Sequence, residues 1–224
     1  MRSRCYVIGN GLSLRSTPLD KIIGTPSVAC NRIARIYPHT EWRPSHFVVA
    51  TVNVRLIPWY IDIMKTIMMG IDSYVWNALK LYIPPRNNVK YIQCHQTGTV
   101  TDKPKDGWWH DDIERAITHW GGSGTAMIQV ACGLGHDEII LLGFDANWKL
   151  GIKGQDLNHF DMEYGEGSGF DRPGKIKLWN YQAKVSHDWI RKMTDERGIR
   201  VINATPNSGI KAYPMVDLDE ILAK

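Results

Sequence analysis

A short apolar run that stops at a pair of glycines is the strongest constraint on how this chain folds. Arg4-Cys5-Tyr6-Val7-Ile8 leads directly into Gly9-Asn10-Gly11-Leu12-Ser13. The run is too short for a helix and is bounded by a turn signal, so Cys5–Ile8 reads as a buried strand. The glycines permit a tight turn and close approach of a ligand, and such a turn uncovers backbone N–H groups suited to a phosphate. Asn10 and Ser13 place short polar side chains beside it. The spacing matches neither the dinucleotide fingerprint nor the P-loop, so a plain strand-to-helix connection fits it equally well.

The alternation begun there continues. Strands are expected at Ser27–Cys30, Phe47–Ala50, Lys90–Cys94, Glu138–Leu142 and Ile199–Asn203, and helices around Ile57–Met69, from Gly124 to Leu134 and from Leu178 to Arg197. In the last helix Leu178, Tyr181, Val185, Trp189 and Met193 form the apolar stripe, His187 falls off it toward solvent, and Gly198 supplies the stop. Short strands alternating with helical patterns predict an α/β fold, a mostly parallel twisted sheet with helices on both faces in the Rossmann-like manner. After Asp145 comes a glycine- and aromatic-rich stretch without period, longer than ordinary connections. It is expected to form a small lid, residues 146–177, inserted into a nucleotide-binding domain made of residues 1–145 and 178–224. A second loop, Gln96–Trp109, receives no role.

Composition narrows the class. A chain of 224 residues with 43% hydrophobic and 22% charged residues has the make-up of a globular protein. A net charge of +4 fits a nucleotide, a phosphorylated sugar or nucleic acid, and no block of like charge chooses among them. Cys5, Cys30, Cys94 and Cys132 show no C-x-x-C spacing, which argues against a zinc site or a disulfide framework and for a reducing compartment. With neither an apolar leader nor a bilayer-length apolar run, the expected location is the cytoplasm, in a bacterial or phage setting.

Four further segments fall where an α/β fold gathers ligands. Gly121-Gly122-Ser123-Gly124-Thr125 opens a helix, whose N-terminal N–H groups are a candidate phosphate or carboxylate site; capping by Ser123 or Thr125 is the competing reading. Asp145 follows a buried strand and either binds a ligand or orders the lid. Asn31 follows another strand, and its amide both donates and accepts. Asn207 and Ser208 lie just after the last strand.

Taken in order, Gly-Asn-Gly-x-Ser-Leu, Cys-Asn, Ser-Gly-x-x-Met, Glu-Ile-x-Leu-x-Gly-x-Asp and Pro-Asn-Ser resemble the bacterial sialyltransferases of the Campylobacter type, glycosyltransferase family 42. The resemblance covers roughly residues 3–35, 121–148 and 198–210. It implies transfer of a sugar, most simply sialic acid, from a CMP-activated donor to an acceptor hydroxyl. The nucleotide sugar would be a co-substrate, with no cofactor and no metal, and the acceptor a carbohydrate. It also implies a homo-oligomer. Asn10, Gly11 and Ser13 would then meet the phosphate and sugar, and Asn31 the ribose or cytosine. Ser123 and Gly124 would meet the donor sugar or its carboxylate, with Pro206, Asn207 and Ser208 near the nucleotide.

The chain departs from that pattern in three places. Thr51 or Asn53 stands nearest to a second family asparagine. Asn147, Trp148 and Tyr164 stand where two lid tyrosines steady the leaving phosphate, and Trp148 and Tyr164 are the candidates for that task. The family's base histidine would fall at Leu178-Trp179-Asn180-Tyr181, so His159 becomes the candidate general base. The Gly-Asn-Gly start is also similar to that of proteins related to archaeal hydroxymethylpterin diphosphokinase. Such an activity would need Asp111, Asp112 and Asp145 to converge on magnesium. A third reading, glycosylation of a modified DNA base, draws on the positive charge and nine tryptophans.

Overall fold

In the computed structural model, which describes residues 2–95, 103–150, 155–165 and 173–223, eight strands form one wholly parallel sheet. They are β1 (Arg4–Ile8), β2 (Ser27–Cys30), β3 (His46–Val49), β4 (Asp72–Trp76), β5 (Val89–His95), β6 (Ala116–Thr118), β7 (Glu138–Leu142) and β8 (Arg200–Asn203). All of β2 and β7 is buried, as a parallel sheet covered on both sides requires. Val7 of β1 pairs with Val28 on one side and Leu141 on the other. Two strands, β4 and β6, escape the sequence pattern. The first opens on polar Asp72-Ser73 and the second is only three residues long.

The strand order β6-β5-β4-β3-β2-β1-β7-β8 reverses its direction of growth at β1. Connections leaving β1 and β7 therefore diverge and open a crevice at the carboxyl edge of the sheet.

The pleat divides the core. Tyr6, Ile8, Ala29, Phe47 and Val49 pack on the side of α1 (Ile57–Met68), whereas Cys5, Val7, Val28, Cys30 and Val48 pack on the side of α2 (Ser123–Gly133) and α3 (Pro173–Asp195). A short α4 (Leu218–Leu222) ends the chain's regular structure. Helix α2 is buried from Thr125 to Ala131, because the sheet lies on one side and α3 on the other.

Helix α3 differs from the expectation in two ways. It starts at Pro173, inside the stretch assigned to the lid. Its buried face is also wider than the expected stripe: Trp189 and Met193 are buried as expected, Ala183, Ser186, His187, Ile190 and Thr194 are buried with them, and Tyr181 is 43% exposed. Small residues decide this. A Cβ on Gly121 would stand 2.5 Å from the Ser186 hydroxyl oxygen, so the helix approaches the chain there more closely than a bulky stripe permits. At its end Gly198 takes φ 67°, and the Ile199 N–H donates to the Thr194 carbonyl, closing the helix as predicted.

Residues 151–154 and 166–172 of the expected lid, and 96–102 of the second loop, lie outside the described residues. No helix among the described residues is long and apolar enough to cross a membrane. All four cysteines are free, and burial pushes each thiol up to about 12.

Candidate functional site

A cavity of about 600 Å³ occupies the crevice beyond β1 and β7. Asn10, Gly11, Ser13, Asn31, Ser123 and Gly124 lie on its wall, together with Asp145, Trp148, His159, Tyr164 and Asn207. Ser208 does not reach the wall: its hydroxyl donates to the Phe144 carbonyl and accepts from the Ile210 N–H, behind the cavity.

The turn after β1 is held from β7. Gly11 N–H donates to the Gly143 carbonyl at 2.9 Å. Asp145 accepts from the Ser13 N–H at 3.0 Å and from the Ser13 hydroxyl at 2.7 Å. Both Ser13 donors are thus engaged by a carboxylate, and Asp145 orders the glycine turn.

Two asparagines shape the wall behind that turn. Asn10 donates its amide N–H to the Cys30 carbonyl at 3.2 Å, and its buried Oδ1 has no partner among the described residues. Asn31, in the left-handed region at φ 57°, donates to the Ser123 hydroxyl at 3.2 Å, and its buried Oδ1 likewise has no partner among the described residues. An unmet buried acceptor costs roughly 1–3 kcal/mol, which a ligand N–H or O–H offsets on binding.

Beside them lies the start of α2. Gly122 precedes the helix and no side chain caps it. Ser123 accepts from Asn31, while Thr125 donates backward to the Trp120 and Gly122 carbonyls. The capping reading of these two hydroxyls is therefore not what the structure has. An uncapped helix start offers N–H donors and a positive dipole end to an anion.

Opposite stands an aromatic wall. His159 forms an antiparallel bridge with Gly11; the Phe160 N–H donates to the Asn10 carbonyl at 3.1 Å and Arg15 donates to the Phe160 carbonyl at 2.7 Å. The His159 ring stacks on Tyr164 with centroids 4.0 Å apart and meets the Trp148 ring at 5.3 Å. Its Nδ1 lies 2.6 Å from a carboxylate oxygen of Asp156, and both side chains are buried. Burial raises the Tyr164 phenol well above its ordinary pKa, against the opposing pull of Arg32 and Asn31, so it is a neutral hydroxyl.

Several residues that matter here carry no motif. Asp156 has one sequence signal, a carboxylate three positions before a histidine in the same loop. Arg32, fully buried, donates to Asp62 of α1 at 2.7 Å and to the Tyr164 carbonyl at 2.7 Å. Arg35 grips Asp161 through two bonds of 2.8 and 3.0 Å. Together they fasten residues 155–165 to the body of the protein. Asn180 clasps Trp148 from α3, accepting from its N–H at 3.0 Å and donating to its carbonyl at 3.1 Å. The Leu178–Tyr181 neighbourhood thus positions an aromatic wall residue and supplies no histidine.

His187 is a correction. Expected to face solvent, it is 5% exposed on the cavity wall, with Nδ1 2.9 Å from the Tyr213 hydroxyl and its ring edge-on to Phe144. Burial lowers its pKa to about 3, so the imidazole is neutral. His187 faces inward because the buried face of α3 is wider than its apolar stripe.

The remaining candidates stand apart. Thr51 accepts from the Asn53 N–H in a local turn, and neither lines the cavity. Asp111 pairs with Arg197 at 2.8 Å, Asp112 accepts from the Glu114 N–H, and neither joins Asp145 on the wall. Among the described residues no group of three or more His, Cys, Asp or Glu side chains is placed to hold a metal ion. Asn147 donates to the Asn207 carbonyl at 2.6 Å, tying the two loops that flank the cavity.

Fold and cavity together define a wound α/β protein with a ligand crevice at the reversal of its strand order. No protein-family model matches the chain, and no curated protein does. The chain is similar to the sialyltransferase CstII from Campylobacter jejuni, solved with the substrate analogue CMP-3FNeuAc, at 14% identity and a TM-score of 0.48 over 96% of this chain and 86% of that one.

Proposed function

We propose that this chain is a glycosyltransferase that moves a sugar, most simply sialic acid, from a CMP-activated donor to an acceptor hydroxyl without a metal. The observation that carries the reading is the Asp156–His159 pair, with Nδ1 2.6 Å from the carboxylate, facing a wall with two unmet amide oxygens. The cytosine amine and ribose hydroxyls are donors of the kind Asn10 and Asn31 lack. The order of motifs resembling family 42 supports cytidine among the nucleotides.

In this reading the phosphate lies at the start of α2 and not, as expected, at the Asn10–Ser13 turn, whose Ser13 donors are held by Asp145; Lys149 lines the same cavity. Asp156 keeps the proton of His159 on Nδ1, so Nε2 takes the acceptor's proton. The acceptor oxygen forms a bond to the anomeric carbon, and the bond from that carbon to the phosphate oxygen breaks. The electron pair leaves with CMP. The neutral Tyr164 hydroxyl and the Trp148 ring line the path of the leaving group, and residues 155–165 shield the donor from water.

The test is release of CMP from CMP-sialic acid with and without EDTA, beside a thermal-shift comparison of CMP with ATP and magnesium. Release that survives EDTA and falls by about 10²–10⁴ in His159→Ala, with CMP still bound, is the expected result. A magnesium-dependent shift with ATP, and none with CMP, would replace the reading by phosphoryl transfer.

A further inference from the structure

The carboxyl edge of the sheet carries a second feature outside the cavity. Helix α1 is apolar on two sides: Trp59, Ile63 and Ile67 are buried in the core, whereas Ile57 and Ile61 are 74% and 49% exposed. Next to its start lies the turn after β4, where Leu81 is 94% exposed beside a partly exposed Tyr82. The Arg55 guanidinium stands 5.4 Å over the Tyr82 ring and joins the two segments into one surface. A helix needs one apolar side to fold against a core. A second apolar side left in water, continued by a neighbouring loop, marks an interaction surface.

The charges of that surface choose its partner. Arg55 and Lys80 rest over tyrosine rings, and no carboxylate among the described residues pairs with either. Asp62, the acid of α1, is buried and held by Arg32 at 2.7 Å. Two copies meeting face to face about a two-fold axis would gather four such cations into one interface. Anionic lipid headgroups meet them instead, while isoleucine, leucine and tyrosine side chains enter the interfacial layer.

We propose that this surface docks the chain peripherally on an anionic lipid bilayer, through the start of α1 and the Leu81-Tyr82 turn. Both segments follow carboxyl ends of strands, as the cavity does, so docking brings the cavity's sheet edge to the headgroup layer. The proposal is independent of the reaction proposed above.

The full chain is floated with vesicles of phosphatidylcholine alone and of phosphatidylcholine with phosphatidylglycerol. Binding to the second, at least about tenfold weaker on the first or in high salt, is expected. The exposed-site variants Ile57→Ser with Leu81→Ser, and Arg55→Glu with Lys80→Glu, should each lose about tenfold or more while unfolding at the wild-type denaturant concentration. The proposal fails if the wild type does not float with the anionic vesicles or if both double variants float as it does. It fails equally if ultracentrifugation shows a dimer that Ile57→Ser with Leu81→Ser dissociates, since the surface then belongs to a second copy. None of these readouts uses turnover.

Discussion

Asp145 grips Ser13 with both carboxylate oxygens, one on the backbone N–H at 3.0 Å and one on the hydroxyl at 2.7 Å. The grip passes directly over Gly11, where a Cβ would stand 1.9 Å from the Asp145 carboxylate and 2.6 Å from the Gly143 carbonyl. Gly11→Ala must therefore push the carboxylate off Ser13. It is expected to lower stability by about 1–3 kcal/mol in urea unfolding. Asp145→Ala, which removes the acceptor and leaves both donors unmet, should cost a similar amount. An unchanged midpoint for both would show that the turn holds itself.

Asn31 allows function to be separated from folding. At φ 57° its backbone favours glycine. Asn31→Gly removes the amide but relieves the backbone, so the unfolding free energy should stay level or rise by up to about 1 kcal/mol. Calorimetric affinity for CMP should nevertheless fall about tenfold, one hydrogen bond's worth. Retained affinity would take Asn31 out of the binding wall.

The buried His187 sets the acid side of stability. Its folded pKa of about 3 lies below the value of about 6.5 for an exposed imidazole. Only the unfolded chain takes up a proton between those values, so stability falls as pH drops from about 6.5 toward 3, by at most about 1.4 kcal/mol per pH unit from this group. Above pH 6.5 neither state is protonated and the group has no effect. His187→Gln, which keeps a polar partner for Tyr213, should show a shallower fall of Tm over that window. Parallel curves for the two proteins would mean that His187 opens to solvent.

Arg32 and Asp62 form an ion pair with side chains only 1% and 5% exposed. Arg32→Met leaves that carboxylate to Arg35 at 3.5 Å and Lys65 at 3.7 Å, so the cost in denaturant unfolding should stay below the roughly 3–5 kcal/mol of a fully stranded buried charge. Adding Asp62→Leu should recover part of that loss, since the less compensated charge is gone and Arg35 keeps Asp161 and Glu163. A double variant no better than the single one would assign the cost to Arg32's bonds with the Glu163 and Tyr164 carbonyls.

The centre of the sheet was legible because β1, β2, β3 and β7 are buried on both faces and read as apolar runs, whereas β4 opens on Asp72 and Ser73. The cavity wall around Asn10, Asn31 and Ser123 was legible because each follows a strand or opens a helix, positions that a wound sheet brings to one edge. Pairings across the chain were not. Nothing local joins Asp145 to Ser13, Asn180 to Trp148 or Arg32 to the Tyr164 carbonyl, since each depends on packing between distant segments. The buried face of α3 extends beyond Trp189 and Met193 of the apolar stripe because size counts beside apolarity: Ser186 fits against Gly121, and Ala183 is buried on the same helix.

The reversal of strand order at β1 has a consequence for how such a chain changes over time. The hollow exists because two connections part company there, whichever side chains happen to line it. Replacing wall residues alters what the hollow accepts without erasing it, whereas rerouting one connection would abolish it at a stroke. The winding therefore decides where a ligand can lodge, and the wall side chains decide which one.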